Sequence, residues 1–300
     1  MPSTILVKDL RKNYPDVHAV DGVSFEVAQG EFFGILGPNG AGKTTTLEII
    51  EGLREADSGE VTLLGLRPWP RNPRLLPRIG VQLQATSFFE RLTVREQIRT
   101  FASLYGLPAE AADRMLDVVG LTDRAGARTE ALSGGQAQRL SIACALVHRP
   151  EVIFMDEPTS GLDPQARRNL WDLLRQINAQ GHTVVLTTHY MDEAETLCDR
   201  VAIMDGGKIL KLGAPAALVR DLNSPVRITI ESGILPPAEI ARLRQDAEVR
   251  DDGVSLTIAT RDPSPVLVRL AELGALSGLR VRGATLEDLF LELTGREYRA

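Results

Sequence analysis

Apolar and polar positions change rhythm several times along the chain. Ile5–Val7, Ser24–Val27 and Phe32–Leu36 are short, β-rich and separated by turn residues, which predicts strands. From Gly37 a glycine-rich loop leads into a helical pattern over Lys43–Leu53. Residues 90–147 read as mostly helical, with breaks at Gly106-Leu107-Pro108, Gly120 and Ser133-Gly134-Gly135. Val152–Met155 is an uninterrupted apolar run, the pattern of a strand buried on both faces of a parallel sheet. A helical pattern over Gln165–Gln180 follows, then a second buried-strand run, Thr183–Thr188. Strand, helix and strand at this spacing form a βαβ unit and imply a parallel sheet. Val201–Met204 and Lys208–Leu210 flank Asp205-Gly206-Gly207, a hairpin signal.

The pattern restarts after Asn223-Ser224-Pro225. Val226–Glu231 alternates as a strand, Ala238–Gln245 reads as a helix, and Val249–Arg250 and Val254–Ala259 flank an Asp-Asp-Gly turn. Val266–Leu273 is helical, Leu279–Arg282 a strand and Thr285–Leu293 a helix, with Thr285 and Asp288 spaced for a capping box. The order βαββαβα predicts a small α+β domain over 223–300. It is appended to an α/β domain over 1–222 that contains a helical subdomain at about 86–150. On that last helix, Leu286, Leu289, Phe290 and Leu293 share one face, which could pack on its own domain or on a second copy of the chain.

Composition narrows the class. With 43% hydrophobic and 25% charged residues the chain is ordinarily globular. A net charge of −6 lowers the expectation of nucleic-acid binding, and no nucleic-acid partner is expected. The two cysteines, Cys144 and Cys198, lie in apolar or helical stretches, outside any CxxC pattern. This argues against a disulfide framework or zinc site and fits a reducing cytoplasm. The first residues lack the apolar core of a signal peptide. The longest apolar runs are strand length, far short of the ~20 residues a membrane-spanning helix needs, so a membrane role would be peripheral.

The chemistry concentrates in two places. Gly37-Pro38-Asn39-Gly40-Ala41-Gly42-Lys43-Thr44 fits GxxxxGK[ST] in full, after a predicted strand and before a predicted helix. Glycines let successive N–H groups turn inward around phosphates, and the helix N-terminus adds unpaired donors and a positive dipole end. Lys43 would reach the terminal phosphates and Thr44 would offer its hydroxyl to Mg²⁺. The second place is the end of the Val152–Met155 run, where Asp156 and Glu157 follow. Strand ends in parallel sheets are where ligands bind. Alone, the two acids read as solvated. With the phosphate loop upstream, Asp156 reads as a holder of Mg²⁺ and Glu157 as a general base for an attacking water.

Leu132-Ser133-Gly134-Gly135-Gln136 completes a set that resembles the ABC ATPase family, since it matches that family's signature sequence. Physically it opens a helix expected to run to about His148, a second anion-binding helix N-terminus in the same chain. The resemblance covers about residues 4–215 and implies the family's P-loop cassette fold, with ATP and Mg²⁺ as ligands. By this resemblance Tyr14 stacks on adenine, and Gly37 through Lys43 with Thr44 and Thr45 hold the phosphates. Thr44, Gln84 and Asp156 serve the metal. Gln84 also senses the membrane partner, and His189 contacts the γ-phosphate beside the catalytic Glu157, Lys43 and Gln84. Ser133, Gly134, Gly135 and Gln136 would complete the site of a second copy, and Asp163, in Ser160-Gly161-Leu162-Asp163, would communicate across the dimer.

The implied assembly is a head-to-tail homodimer, or a heterodimer with a similar ATPase. It would sit peripherally on the cytoplasmic face of the membrane against a separate multi-span permease. The permease's docking surface is expected in Ala85–Gly106, with Phe88 and Phe89 either in the docking pocket or in the core. Ala284–Gly295 and Thr188–Glu195 are similar to exporter subunits for drugs, antibiotics, lipids or polysaccharides, which points to export, multidrug export included. A soluble ABC ATPase acting on a macromolecular complex is the alternative. Against it, the chain lacks the paired cassettes, basic linkers or coiled-coil insertion of those relatives. A P-loop kinase would not carry the signature, and a GTPase would carry an NKxD-type loop that is absent.

Overall fold

The computed structural model describes residues 3–83, 88–222 and 224–295. The chain divides into two compact units, the first reaching to Pro215 and the second running from Ala216 to the last described residue, Gly295.

In the first unit, β1 (Ser3–Tyr14), β2 (Val17–Ala28) and, further on, β4 (Ser58–Leu63) form an antiparallel sheet of order β2-β1-β4. Between them come β3 (Phe32–Leu36) and α1 (Lys43–Ile50). Then follow β5 (Ile79–Gln82), the helices α2 (Val94–Leu104), α3 (Ala109–Val118) and α4 (Gly134–Leu146), β6 (Val152–Asp156), α5 (Pro164–Ala179), β7 (Thr183–Thr188), α6 (Met191–Leu197) and the hairpin β8 (Arg200–Asp205) and β9 (Lys208–Gly213). The main sheet has the order β5-β6-β7-β3-β8-β9, parallel except for β9.

The apolar runs explain this sheet. Every residue of β3, β6 and β7 is buried, as a strand covered on both faces requires. One core joins the inner face of the antiparallel sheet (Ile5, Val7, Phe25) to α1 (Leu47, Ile50) and the main sheet (Phe33, Phe154, Val185). The Phe25 and Phe33 rings stack at 5.0 Å across it.

The expected helix from Lys43 to Leu53 stops at Ile50. Gly52 has φ +75, and a Cβ there would stand 2.5 Å from the Pro68 carbonyl, so the chain turns where only glycine fits. Ser24–Val27 proves to be the end of the twelve-residue β2. The helix that opens at the signature ends at Leu146, two residues before the expected His148.

α7 (Pro215–Asp221) opens at the division after Pro215, ahead of the domain boundary expected near Asn223-Ser224-Pro225. The second unit then carries β10 (Val226–Glu231), α8 (Pro237–Asp246), β11 (Glu248–Asp251), β12 (Ser255–Thr260), α9 (Pro263–Glu272), β13 (Arg280–Arg282) and α10 (Leu286–Thr294). This is the order expected from sequence. Its antiparallel sheet runs β11-β12-β10-β13, over a core of Ile228, Ile230, Leu256, Ile258 and Leu270. Thr285 and Asp288 form the predicted capping box. Leu286, Leu289 and Phe290 are buried within this chain, so these three are not open to a second copy.

Candidate nucleotide site

Main-sheet order decides where the chemistry gathers. β6, β7 and β3 are neighbours and parallel, so their carboxyl ends lie side by side. Leu36 is level with Thr188, and Asp156 with Thr187. The loop after β3, the acids ending β6 and the histidine after β7 therefore meet at one edge.

Gly37–Gly42 arches over this edge into α1. A Cβ at Gly37 would come 2.3 Å from the Met204 carbonyl oxygen, and one at Gly42, whose φ is +98, 2.1 Å from the Ala19 carbonyl oxygen. Both positions demand glycine, because the loop is pressed against backbone on its outer side. Lys43 is buried, and its Nζ donates to the carbonyls of Gly37 at 2.8 Å and Pro38 at 3.2 Å, so the ammonium lies inside the arch. Asn39, Gly40 and Thr44 are exposed, Pro38, Gly42 and Thr45 half-buried and Ala41 buried, so the arch has an open side.

Glu157 binds these elements together. Its Oε1 lies 3.1 Å from Lys43 Nζ and its Oε2 3.0 Å from His189 Nδ1, a line of three functional side chains each at most 10% exposed. The backbone at Glu157 is left-handed, with φ +47, and its N–H donates to the Thr187 carbonyl at 3.2 Å and the Thr187 hydroxyl at 3.0 Å. A non-glycine residue held in that conformation stores strain that its surroundings must impose, a pattern frequent at functional sites.

Asp156 accepts from the Thr44 hydroxyl at 3.1–3.2 Å and from the Thr187 hydroxyl. Burial raises its pKa, with the nearby Glu157 charge adding, while the hydroxyls of Thr187 and Thr44 and the Lys43 charge oppose the rise. A buried carboxylate beside a second carboxylate and a hydroxyl is an all-oxygen donor set of the kind Mg²⁺ takes, so these residues fit the metal. Beneath them, at the end of α1, Glu51 is 6% exposed. Burial pushes its pKa up to about 9, with the charges of Asp156 and Glu48 adding.

The signature residues stand elsewhere on the unit's surface. Ser133 caps α4, its hydroxyl accepting from Gln136 N while Gln136 Oε1 accepts from Ser133 N, a closed capping box. Ser133 and Gly134 are exposed. Gly134 and Gly135 lie against the loop after β6 and the start of α5, since Cβ atoms there would be 3.8 Å from Leu162 and 3.2 Å from Ala166. Asp163 caps α5, accepting from Gln165 N and Ala166 N at 2.9 Å each. Tyr14 ends β1, partly exposed, with the Arg54 guanidinium 5.5 Å from its ring centroid. Gln84 and Ala85 lie outside the described residues. Phe88 is half-buried, and Phe89, whose ring is 6.3 Å from that of Phe101, is 53% exposed.

Sequence reasoning finds Lys43, Asp156, Glu157 and His189 singly. It misses their line of contact, and it misses Thr187 and Glu51 altogether. Thr187 sits inside a strand read only for its apolar content, and Glu51 at the end of a helix read only for its start.

A glycine-pressed arch around a lysine, on a parallel sheet with paired acids at the next strand end but one, defines a P-loop nucleotide-binding protein. The family described as ABC transporter matches residues 20–160. Over the whole length the chain is 40% identical to the Nod factor export ATP-binding protein I of Ralstonia nicotianae, covering 98% of this chain and 94% of that one. It is 41% identical to the protein of the same name from Paraburkholderia xenovorans, covering 99% of each. Among solved structures, an ATP-binding subunit of an ABC transporter superposes with a TM-score of 0.65 at 30% identity, over 73% of this chain and 93% of that one. The chain belongs to the ATP-binding subunits of ABC transporters and is an ATPase of that family. Such subunits bind ATP and work with transmembrane partners. Among the described residues, no helix is long and apolar enough to cross a membrane.

Proposed function

We propose that the chain is the ATP-hydrolysing motor of an exporter whose cargo is of the Nod factor kind. Relatives carrying that name match it from end to end, and multidrug specificity has no support among them. The observation that carries the catalytic part of this reading is the contact line Lys43, Glu157, His189.

In this reading the arch residues Gly37 to Gly42, with Thr44 and Thr45, hold the phosphates of ATP through backbone N–H groups, and Tyr14 supports the adenine. Lys43 supplies positive charge to the terminal phosphates. Thr44 and Asp156, with Gln84, would hold Mg²⁺, which when bound neutralises phosphate charge. Glu157 accepts a proton from the attacking water, and His189, whose Nδ1 lies 3.0 Å from Glu157 Oε2, contacts the γ-phosphate beside it. Support for these roles comes from burial. In a water-poor site each charge acts more strongly than it would in solvent.

The α4 N-terminus at Ser133, Gly134, Gly135 and Gln136, exposed at its first two residues, serves the ATP of a second copy in a head-to-tail dimer, homomeric or with a similar ATPase, with Asp163 carrying communication between sites. ATP bridging two chains favours the closed dimer and hydrolysis releases it. A separate multi-span permease at the cytoplasmic face of the membrane takes up the motion. Leu83, Phe89 and Leu104, exposed by 51%, 53% and 72%, are apolar residues around the expected docking stretch, and they favour a partner there.

The test is affinity purification of the chain from native membranes in mild detergent, with wild type beside a Phe88→Ala, Phe89→Ala double variant. The expected result is a multi-span membrane protein retained by wild type and depleted by the variant, with ATPase activity of the isolated subunit unchanged. Recovery of soluble complexes only would overturn the transport assignment.

A further inference from the structure

A second buried acid lies behind the line of contact just described. Glu193, on α6, is fully buried, and its Oε1 accepts from the Trp171 indole N–H of α5 at 3.0 Å. The hydroxyls of Thr188, at the end of β7, and Thr159, in the loop after β6, lie close enough to favour the charged carboxyl. Neither is oriented into a hydrogen bond with Oε2, which is buried like the Thr159 hydroxyl. Burial dominates, and it raises the Glu193 pKa.

Position gives this acid its meaning. Thr159 is two residues beyond Glu157, and Thr188 is the residue before His189. The loop from Glu157 is tied to β7 at its start by the Glu157 N–H on Thr187, and beyond that carries short turn bonds, Ser160 N to Glu157 O at 3.1 Å and Leu162 N to Thr159 O at 3.2 Å, before Asp163 starts α5. The segment after His189 is held from the α5 side, where the Arg167 guanidinium lies 3.8 Å from the Tyr190 ring centroid and 3.9 Å from Asp192. Glu193 thus faces Thr159, in the loop that starts at Glu157, and Thr188, beside His189, and it is anchored to α5 through Trp171.

We propose that Glu193 is a positioning residue that spans the Thr159 and Thr188 loops and so keeps Glu157 and His189 at contact distance. The proposal rests on the roles assigned above to Glu157 and His189. A neutral carboxyl suits this position, because one oxygen accepts from Trp171 while the other can donate to the Thr159 hydroxyl, giving both buried groups a partner. Glutamine offers the same pair of functions and alanine neither.

The experiment compares Glu193→Ala, Glu193→Gln and Thr159→Val with wild type, measuring kcat, ATP affinity and thermal midpoint, with Glu157→Gln as the reference for the base. The expected result is a kcat loss of about ten- to a hundred-fold for Glu193→Ala with ATP affinity within about three-fold, near-complete rescue by glutamine, and a smaller loss for Thr159→Val that does not add to that of Glu193→Ala. If Glu193→Ala fails to fold, Glu193→Gln and Thr159→Val carry the same test. Equal loss of kcat and affinity, tracking a lowered midpoint, or a Glu193→Gln as impaired as the alanine variant, would overturn the proposal. An active Glu157→Gln would sink the base assignment instead, whatever Glu193 does.

Discussion

The first unit contains two helix N-termini furnished in opposite ways. At α1 the N-terminus opens beneath an arch that encloses a buried lysine, and a buried carboxylate line runs from that lysine to a histidine. At α4 the N-terminus is closed only by its own capping box, lies at the surface, and carries glycines where side chains would otherwise stand. Both ends offer backbone donors and a positive dipole. The first brings the charged side chains of Lys43 and Glu157 from its own chain. On the proposed head-to-tail reading the two ends are complementary halves: the α1 end supplies the chemistry, and the α4 end supplies a bare anion contact for phosphates held by a second copy.

Breaking the furnished end has the largest expected effect. Glu157→Gln removes the proposed proton acceptor but keeps the shape between Lys43 and His189, so the ATPase rate should fall by ~10²–10⁴-fold while ATP binding persists. Measured turnover and nucleotide affinity check this, and retained turnover would contradict it.

A smaller effect separates burial from catalysis at the other end of α1. An acid whose pKa is raised on folding keeps its proton where the unfolded chain has lost it, so its burial costs more stability as pH rises. For Glu51 the window runs from its ordinary 4.5 to about 9. The expected slope is up to about 1.4 kcal/mol lost per pH unit inside it. Glu51→Gln removes that ionisation cost. Its thermal midpoint relative to wild type should rise between pH 5 and pH 8, and a difference that stays constant over that range would show that Glu51 ionises freely in the folded protein.

The contrast between the two ends also marks what the sequence made legible. β3, β6 and β7 announced themselves because strands buried on both faces need continuous apolar runs, and the loop and acids followed from their places at strand ends. β4 escaped because only one of its six residues is fully buried, and β5 because it has four. The chain's spacing shows that Glu157 and His189 each follow a strand; it does not show that β6 and β7 are neighbours with ends level, and the contact depends on that. The second unit's element order was readable from alternation and turn chemistry alone. The packing of Leu286, Leu289 and Phe290 inside the chain was not, because one apolar face looks the same whether a domain or a partner covers it.

The most direct test of the complementary-halves account mixes two inactive proteins. Lys43→Ala disables the furnished end. Gly134→Glu places a negative charge at an exposed helix start, where it suits the dipole but repels phosphate, and a Cβ there meets nothing closer than 3.8 Å. In a mixed dimer one composite site keeps Lys43 from one chain and Gly134 from the other, so ATPase activity should return to about a quarter of wild type on equal mixing. If each chain instead completes its own site, the mixture will be as inactive as its parts.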